Sequence, residues 1–270
     1  MAFETLTVGN AGGVLFVEIN APPMNLLGPP LVRDLVCLLE QAEADDAIKV
    51  LVFKSGDPDY FIAHVDVTRI AEYREATAKL TGEASLGLLF RYLSASRLVT
   101  IAQVEGRVRG AGSEFVLACD MCFGARESAI FAQPETGFGL VPGAGGIQHL
   151  SRVMGRGRAL EVILSAADYD AELAERYGWI NRALPASALG DFVRSLAQRI
   201  ARLPAAGLVA VKDRVNAIAL APPDEFRRDS NLFLERARSP EAQNRTKDAV
   251  PRGFQTRDGE LDLAALIADL

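Results

Sequence analysis

The chain has 270 residues, about half of them apolar, enough for one sizeable core as a single large domain or a domain with a helical appendage. Its net charge of −6 is spread with both signs mixed and no long basic stripe, which argues against nucleic acid as the main partner. An anionic ligand stays compatible, because local amides and a few Arg or Lys can hold one.

Met1 to Asn10 lacks the basic and apolar regions of a signal peptide, and the apolar stretches are too short and interrupted to span a membrane. Cys37, Cys119 and Cys122 make no disulfide framework, so a reducing cytoplasm is expected.

In chain order, Val14 to Asn20 reads as a strand by its apolar, β-branched run, stopped by Ala21-Pro-Pro23. Leu31, Leu35, Leu38 and Leu39 fall on one face of a helix predicted from Pro30 to Ala44. Lys49 to Lys54 is a short buried-type strand, and a loop runs from Ser55 to Tyr60. Asp66 is expected to N-cap a helix through Thr68, Ile70 and Ala71. A helix at Leu86–Leu93 and a strand at Thr100–Val104 follow. A glycine-rich turn, Gly106 to Gly112, then opens into the apolar run Phe115–Ala118. Further helices are predicted at Gly145–Met154, Ala159–Ala166 and Leu189–Leu203. Alternating strands and helices give an α/β fold. After Pro204 the pattern is almost wholly helical, including Gly207–Ala219 and Pro223–Ala237. Residues 1–203 are therefore read as the core domain. Residues 204–270 are read as a helical region that closes the fold or packs on another subunit.

Two segments carry chemistry. In Gly110-Ala-Gly-Ser-Glu114 the glycines let the backbone approach a ligand, and a helix starts at once. Amides at such a start are unpaired donors backed by the helix dipole, suited to a developing oxyanion, with Glu114 beside them. In Gln133-Pro-Glu135 a carboxylate follows a proline and precedes a glycine-rich bend, Gly137 to Gly146. Each alone is weak, since glycine before a helix is more often just a tight turn.

Together, Val104–Asp120, Phe131–Glu135 and Gly139–Gly146 resemble the signature of the enoyl-CoA hydratase/isomerase (crotonase) family in order and spacing. Ala21–Leu27 resembles its first-strand turn, Phe61–Asp66 its first oxyanion loop, and Gly155–Glu161 with Ala171–Gly178 the helical stretch that follows. The likeness covers roughly residues 5 to 220. It implies a crotonase-like spiral of ββα units with a helical C-terminal region, as a homo-trimer or dimer of trimers. It also implies an acyl-CoA thioester held by the backbone N–H groups of Val65 and Ala111. Ala63, His64, Asp66 and Gly110 would line the substrate, Gly143 would touch a catalytic water, and Glu114 and Glu135 would be the acid/base pair. Neither a metal nor a cofactor is implied, coenzyme A being part of the substrate. The reaction expected is addition of water to a 2-trans-enoyl-CoA, with Glu114 as water-activating base and Glu135 as proton donor to Cα. Isomerase, decarboxylase and dehalogenase reactions are alternatives within the family, and a non-catalytic acyl-CoA-binding or scaffold protein is one outside it.

His64 and Ala111 stand where the family usually has glycine. Glycine serves at the first because that loop often needs positive φ; an alanine works at the second if φ is negative. His64 is expected to be a loop histidine without a catalytic part. Arg107 and Arg109 are expected to form surface or structural ion pairs, with contact to CoA phosphates or an acidic acyl group as the alternative. The family's C-terminal aromatic and lysine are not clearly matched between Glu241 and Phe254. Cys119-x-x-Cys122 has no second pair for zinc, and no dinucleotide fingerprint, Walker A sequence or G-x-S-x-G elbow is present.

Overall fold

The computed structural model describes residues 3–270. The chain opens with a hairpin of β1 (Leu6–Ala11) and β2 (Val14–Ile19), followed by α1 (Pro29–Ala44), β3 (Val50–Ser55) and β4 (Tyr60–Ile62). Next come α2 (Ile70–Thr81), α3 (Leu86–Ala95), β5 (Val99–Val104), β6 (Arg107–Arg109) and α4 (Ala111–Ala118). β7 (Met121–Ala125) and β8 (Ile130–Ala132) lead to a 3-10 turn at Glu135–Phe138, then α5 (Gly146–Val153) and α6 (Gly155–Ser165). β9 (Tyr169–Asp170), α7 (Ala171–Tyr177), β10 (Arg182–Leu184) and α8 (Ala186–Ala201) complete the α/β part. The remainder is helical: α9 (Ala205–Ala219), α10 (Pro223–Ala237), α11 (Pro240–Ala249) and α12 (Leu263–Ala268).

Three times the chain runs from a strand of a large sheet into a strand of a small one and on to a helical turn. The large sheet has the order β1-β2-β3-β5-β7-β10, parallel except for the β1–β2 pair. The small sheet has the order β4-β6-β8-β9, with only β9 antiparallel. This is the crotonase spiral of ββα units. The composition of β3 and β5 explains why they lie centrally. Val50–Phe53 and all of Val99–Val104 are buried, as parallel strands covered on both faces must be. Leu31, Leu35, Leu38 and Leu39 of α1 pack into the same core as these strands.

Most sequence-derived elements appear with shifted ends; the third of the later helices begins at Ala186 and the second at Gly155, three and four residues early. Two differences have clear causes. Strand β1 has no counterpart among the predicted elements, because its sequence, Leu6-Thr-Val-Gly-Asn-Ala11, lacks a continuous apolar run and only Leu6 is buried. Asp66 does not N-cap α2: its Oδ1 accepts from Thr68 N (2.9 Å) and Thr68 Oγ1 (2.6 Å), closing a local turn, and the helix starts at Ile70.

After Pro204, α10 packs on α3, and the last segment builds a satellite core of Phe138, Ala249, Phe254, Leu263, Leu266 and Ile267. Helix α9 buries none of its residues, and Val211, Val215 and Ile218 are 65%, 55% and 81% exposed. No helix among the described residues is long and apolar enough to cross a membrane.

Candidate active site

The C-terminal ends of β4, β6 and β8 converge on one cavity. Its lining includes His64, Val65, Gly110, Ala111, Glu114, Glu135 and Gly143, so most of the predicted site residues meet there. Ala63 and Asp66 do not line it. Ala63 packs with Met24 and Tyr60, and Asp66 is engaged with Thr68 and Gln255.

The loop after β4 is fixed by Asn25, whose Nδ2 donates to Ser55 Oγ (2.8 Å), Tyr60 O (3.3 Å) and Phe61 O (3.1 Å). Leu27 then pairs with the loop: Leu27 N donates to His64 O (2.8 Å) and Asp66 N to Leu27 O (3.3 Å). Because alternate residues of an extended segment face opposite sides, this pairing turns the N–H of Val65 away from Leu27. That N–H has no acceptor among the described residues, and neither has that of Ala111, the first residue of α4.

The turn into α4 explains the glycines of the motif. Gly110 has φ of 50°, a conformation that favours glycine. A Cβ on Gly112 would sit 2.2 Å from the Ile62 carbonyl oxygen, so glycine lets α4 lie directly on β4. Ala111, by contrast, is ordinary helix, and alanine there carries no strain. His64 likewise has no positive φ, contrary to the reason for expecting glycine at its position.

Glu114, in the first turn of α4, is buried, and its Oε1 accepts from Ala144 N (2.7 Å) and Gly146 N (2.8 Å) in the glycine-rich bend. Burial pushes its carboxyl up to about 7 against the pull of those two amides, and Asp229 adds to the rise. Glu135 is also buried, with Oε2 lacking any hydrogen-bond partner. Burial, then the neighbouring Glu114, holds its carboxyl well above the ordinary range. The environment therefore distinguishes the two: one carboxylate is held by amides and ionises near neutrality, while the other keeps its proton more strongly.

His64 is a loop residue, and it is buried. Its Nδ1 donates to Val65 O (2.7 Å) and its Nε2 lies 2.7 Å from Glu260 Oε1, both side chains buried. Burial works against the imidazolium, but Glu260 and the Val65 carbonyl together raise His64 above its usual value. Phe254 stacks on the imidazole at 4.9 Å between ring centres and lines the cavity. Arg109 is fully buried and structural: it pairs with Asp168 through Nε (2.8 Å) and Nη2 (2.5 Å), and Nη1 donates to Glu260 O (2.7 Å). Arg107 reaches Leu261 O (3.1 Å) and lies over the Tyr60 ring. Cys119 and Cys122 are buried free thiols of the core.

Sequence reasoning missed Tyr73, Arg74, Leu86, Phe138, Leu140 and Phe233, which also line the cavity. They come from α2, α3, the 3-10 turn with the bend after it, and α10; Phe138 and Leu140 lie within the glycine-rich segment already singled out, while no local motif marks the other four.

The spiral and the cavity at its strand ends define a crotonase-fold enzyme. The enoyl-CoA hydratase/isomerase family profile matches residues 9–247, and the chain belongs to that family. A provisionally named enoyl-CoA hydratase of Mycobacterium bovis is 31% identical over 217 residues, covering 80% of this chain and 82% of the relative. The 2,3-dehydroadipyl-CoA hydratase of Escherichia coli is 33% identical over 232 residues, covering 86% and 87%. Among solved structures, a provisionally named enoyl-CoA hydratase from Streptomyces avermitilis is 51% identical with a TM-score of 0.98, covering 100% of this chain and 98% of that one.

Proposed function

We propose that the enzyme adds water across the C2=C3 bond of a 2-trans-enoyl-CoA. The observation that carries this is the pair of unequal buried carboxyls, Glu114 and Glu135, lining one cavity with two unused amides, those of Val65 and Ala111. The thioester oxygen accepts from both amides, which stabilises the charge that moves onto it as the conjugated double bond is attacked. Glu114 takes a proton from water near Gly143, and the water oxygen bonds to Cβ. The π electrons pass to the thioester oxygen, giving an enolate. The enolate collapses by taking the Glu135 proton at Cα. One proton then returns from Glu114 to Glu135 before the next turnover. The raised Glu135 carboxyl suits a donor, and the amide-held Glu114 suits a base working near pH 7.

This mechanism draws on no metal and no cofactor beyond the coenzyme A of the substrate. The apolar stripe Val211, Val215 and Ile218 on α9 supports self-association as a homo-trimer or dimer of trimers, and three free cysteines support a cytoplasmic setting.

Hydration of crotonyl-CoA, followed as loss of conjugated absorbance, tests the reading. Wild type is expected to turn over, with Glu114→Gln and Glu135→Gln each slower by roughly 100- to 10,000-fold. Binding of CoA esters with no turnover across a chain-length panel refutes it.

A further inference from the structure

Arg74 on α2 lines the same cavity and is 8% exposed, yet it forms no ion pair with any carboxylate of the described residues. Its one side-chain hydrogen bond is from Nη1 to Ser230 Oγ (2.7 Å). A guanidinium offers five N–H donors in a fixed fork, so most of this donor capacity is unused. The Tyr73 hydroxyl beside it on α2, also lining the cavity, has no hydrogen-bond partner among the described residues either.

An arginine stays protonated even when buried, and a buried charge without a counterion is costly to the fold. Burial works against its charge, and another cation, Arg238, adds to the cost. Arg74 makes neither a hydrogen bond nor an ion pair with Glu114 or Glu135 among the described residues. Leu86, Phe233 and Leu140 add apolar lining to the same cavity. The cavity thus combines two carboxyls, two free amides, apolar side chains and an unneutralised cation.

We propose that the acyl chain of the substrate ends in a carboxylate, which pairs with Arg74 and accepts from Tyr73. This rests on the hydratase reading and adds the substrate class to it. A planar fork facing a carboxylate is the geometry arginine serves best, and the ligand supplies the missing counter-charge. Neutral acyl chains would leave Arg74 buried and unpaired in the complex, so the site discriminates against them.

Wild type, Arg74→Met and Arg74→Lys are compared on the CoA ester of trans-2-hexenedioic acid and on trans-2-hexenoyl-CoA, of equal length but neutral. In Arg74→Met, kcat/KM for the dioic ester is expected to fall about 100-fold more than for the neutral one, chiefly through KM. Arg74→Lys restores part of it. Equal losses with both esters overturn the proposal, because Arg74 would then hold the CoA phosphates or merely Ser230. Calorimetric binding of the saturated hexanedioyl-CoA and hexanoyl-CoA reads the same preference without turnover. A dioic preference lost in Arg74→Met with no hydration of any ester sinks the hydratase reading alone. Equal affinity of wild type for the two saturated esters overturns the Arg74 proposal whatever the activity.

Discussion

Replacing Glu114 by glutamine should make the protein slower and more stable at once, and the stability gain should depend on pH. The glutamine amide keeps an oxygen for the Ala144 and Gly146 N–H groups, so the bend they belong to is preserved. What disappears is a buried negative charge. Glu114 ionises near 7 in the fold against an ordinary value of 4.5, a gap worth about 3 kcal/mol of destabilisation once both states are ionised. The sign follows from proton binding. Between those two values the folded state holds a proton that the unfolded chain has released, so stability falls as pH rises and levels off above 7. Glu114→Gln escapes that loss. Thermal melts at about pH 8 should place the variant roughly 5–10 °C above wild type, and the gap should close at about pH 4. A variant less stable than wild type at the higher pH, or a gap of equal size at both, would refute the claim that the carboxyl is held at the expense of stability.

The same ionisation predicts that kcat/KM for a 2-enoyl ester rises with pH through about 7, as Glu114 becomes the free base; a flat profile across that range contradicts its role. Gly112→Ala places a Cβ against the Ile62 carbonyl, where no flexible side chain can yield, and should cost about 1–3 kcal/mol in denaturant melts together with most of the activity. Arg109→Met strands Asp168 and the Glu260 carbonyl and should lower stability by about 3–5 kcal/mol, with no special sensitivity to the CoA phosphates when dephospho-CoA esters are compared. His64 is raised above its ordinary value, so its contribution is complete below about 6.5 and lost as pH rises through the higher folded value. Amide exchange over residues 254–260 should therefore speed up from about pH 6 to about pH 9 beyond the intrinsic rate, and Glu260→Gln should remove that extra step.

The spiral's central strands and the Glu114 and Glu135 segments are readable in the sequence because their signals are local. A buried parallel strand is an unbroken apolar run, and a glycine turn ahead of a helix leaves its mark within a few residues. His64 and the cavity wall are not readable for the opposite reason. The buried partner of His64, Glu260, is 196 residues away, and Phe254 reaches it only after the C-terminal segment folds back. Arg74 looks like any helix-surface arginine until α10 places Ser230 over it. Asp66 misleads because an aspartate that caps a helix and one that closes a short turn before it look alike in sequence.

The small sheet also acts as a ruler. Two N–H donors that meet one oxygen at about 2.9 Å and a near-tetrahedral angle must themselves lie about 4.7 Å apart. Adjacent β-strands are spaced at about 4.8 Å. Val65 follows β4 and Ala111 follows β6, which are neighbours in that sheet, with β8 and Glu135 one step further. The neighbouring strands thus bring the starts of the two loops that carry Val65 and Ala111 side by side. Substitutions of cavity-lining side chains can reshape its walls while the pairing of β4 with β6 is kept by the backbone.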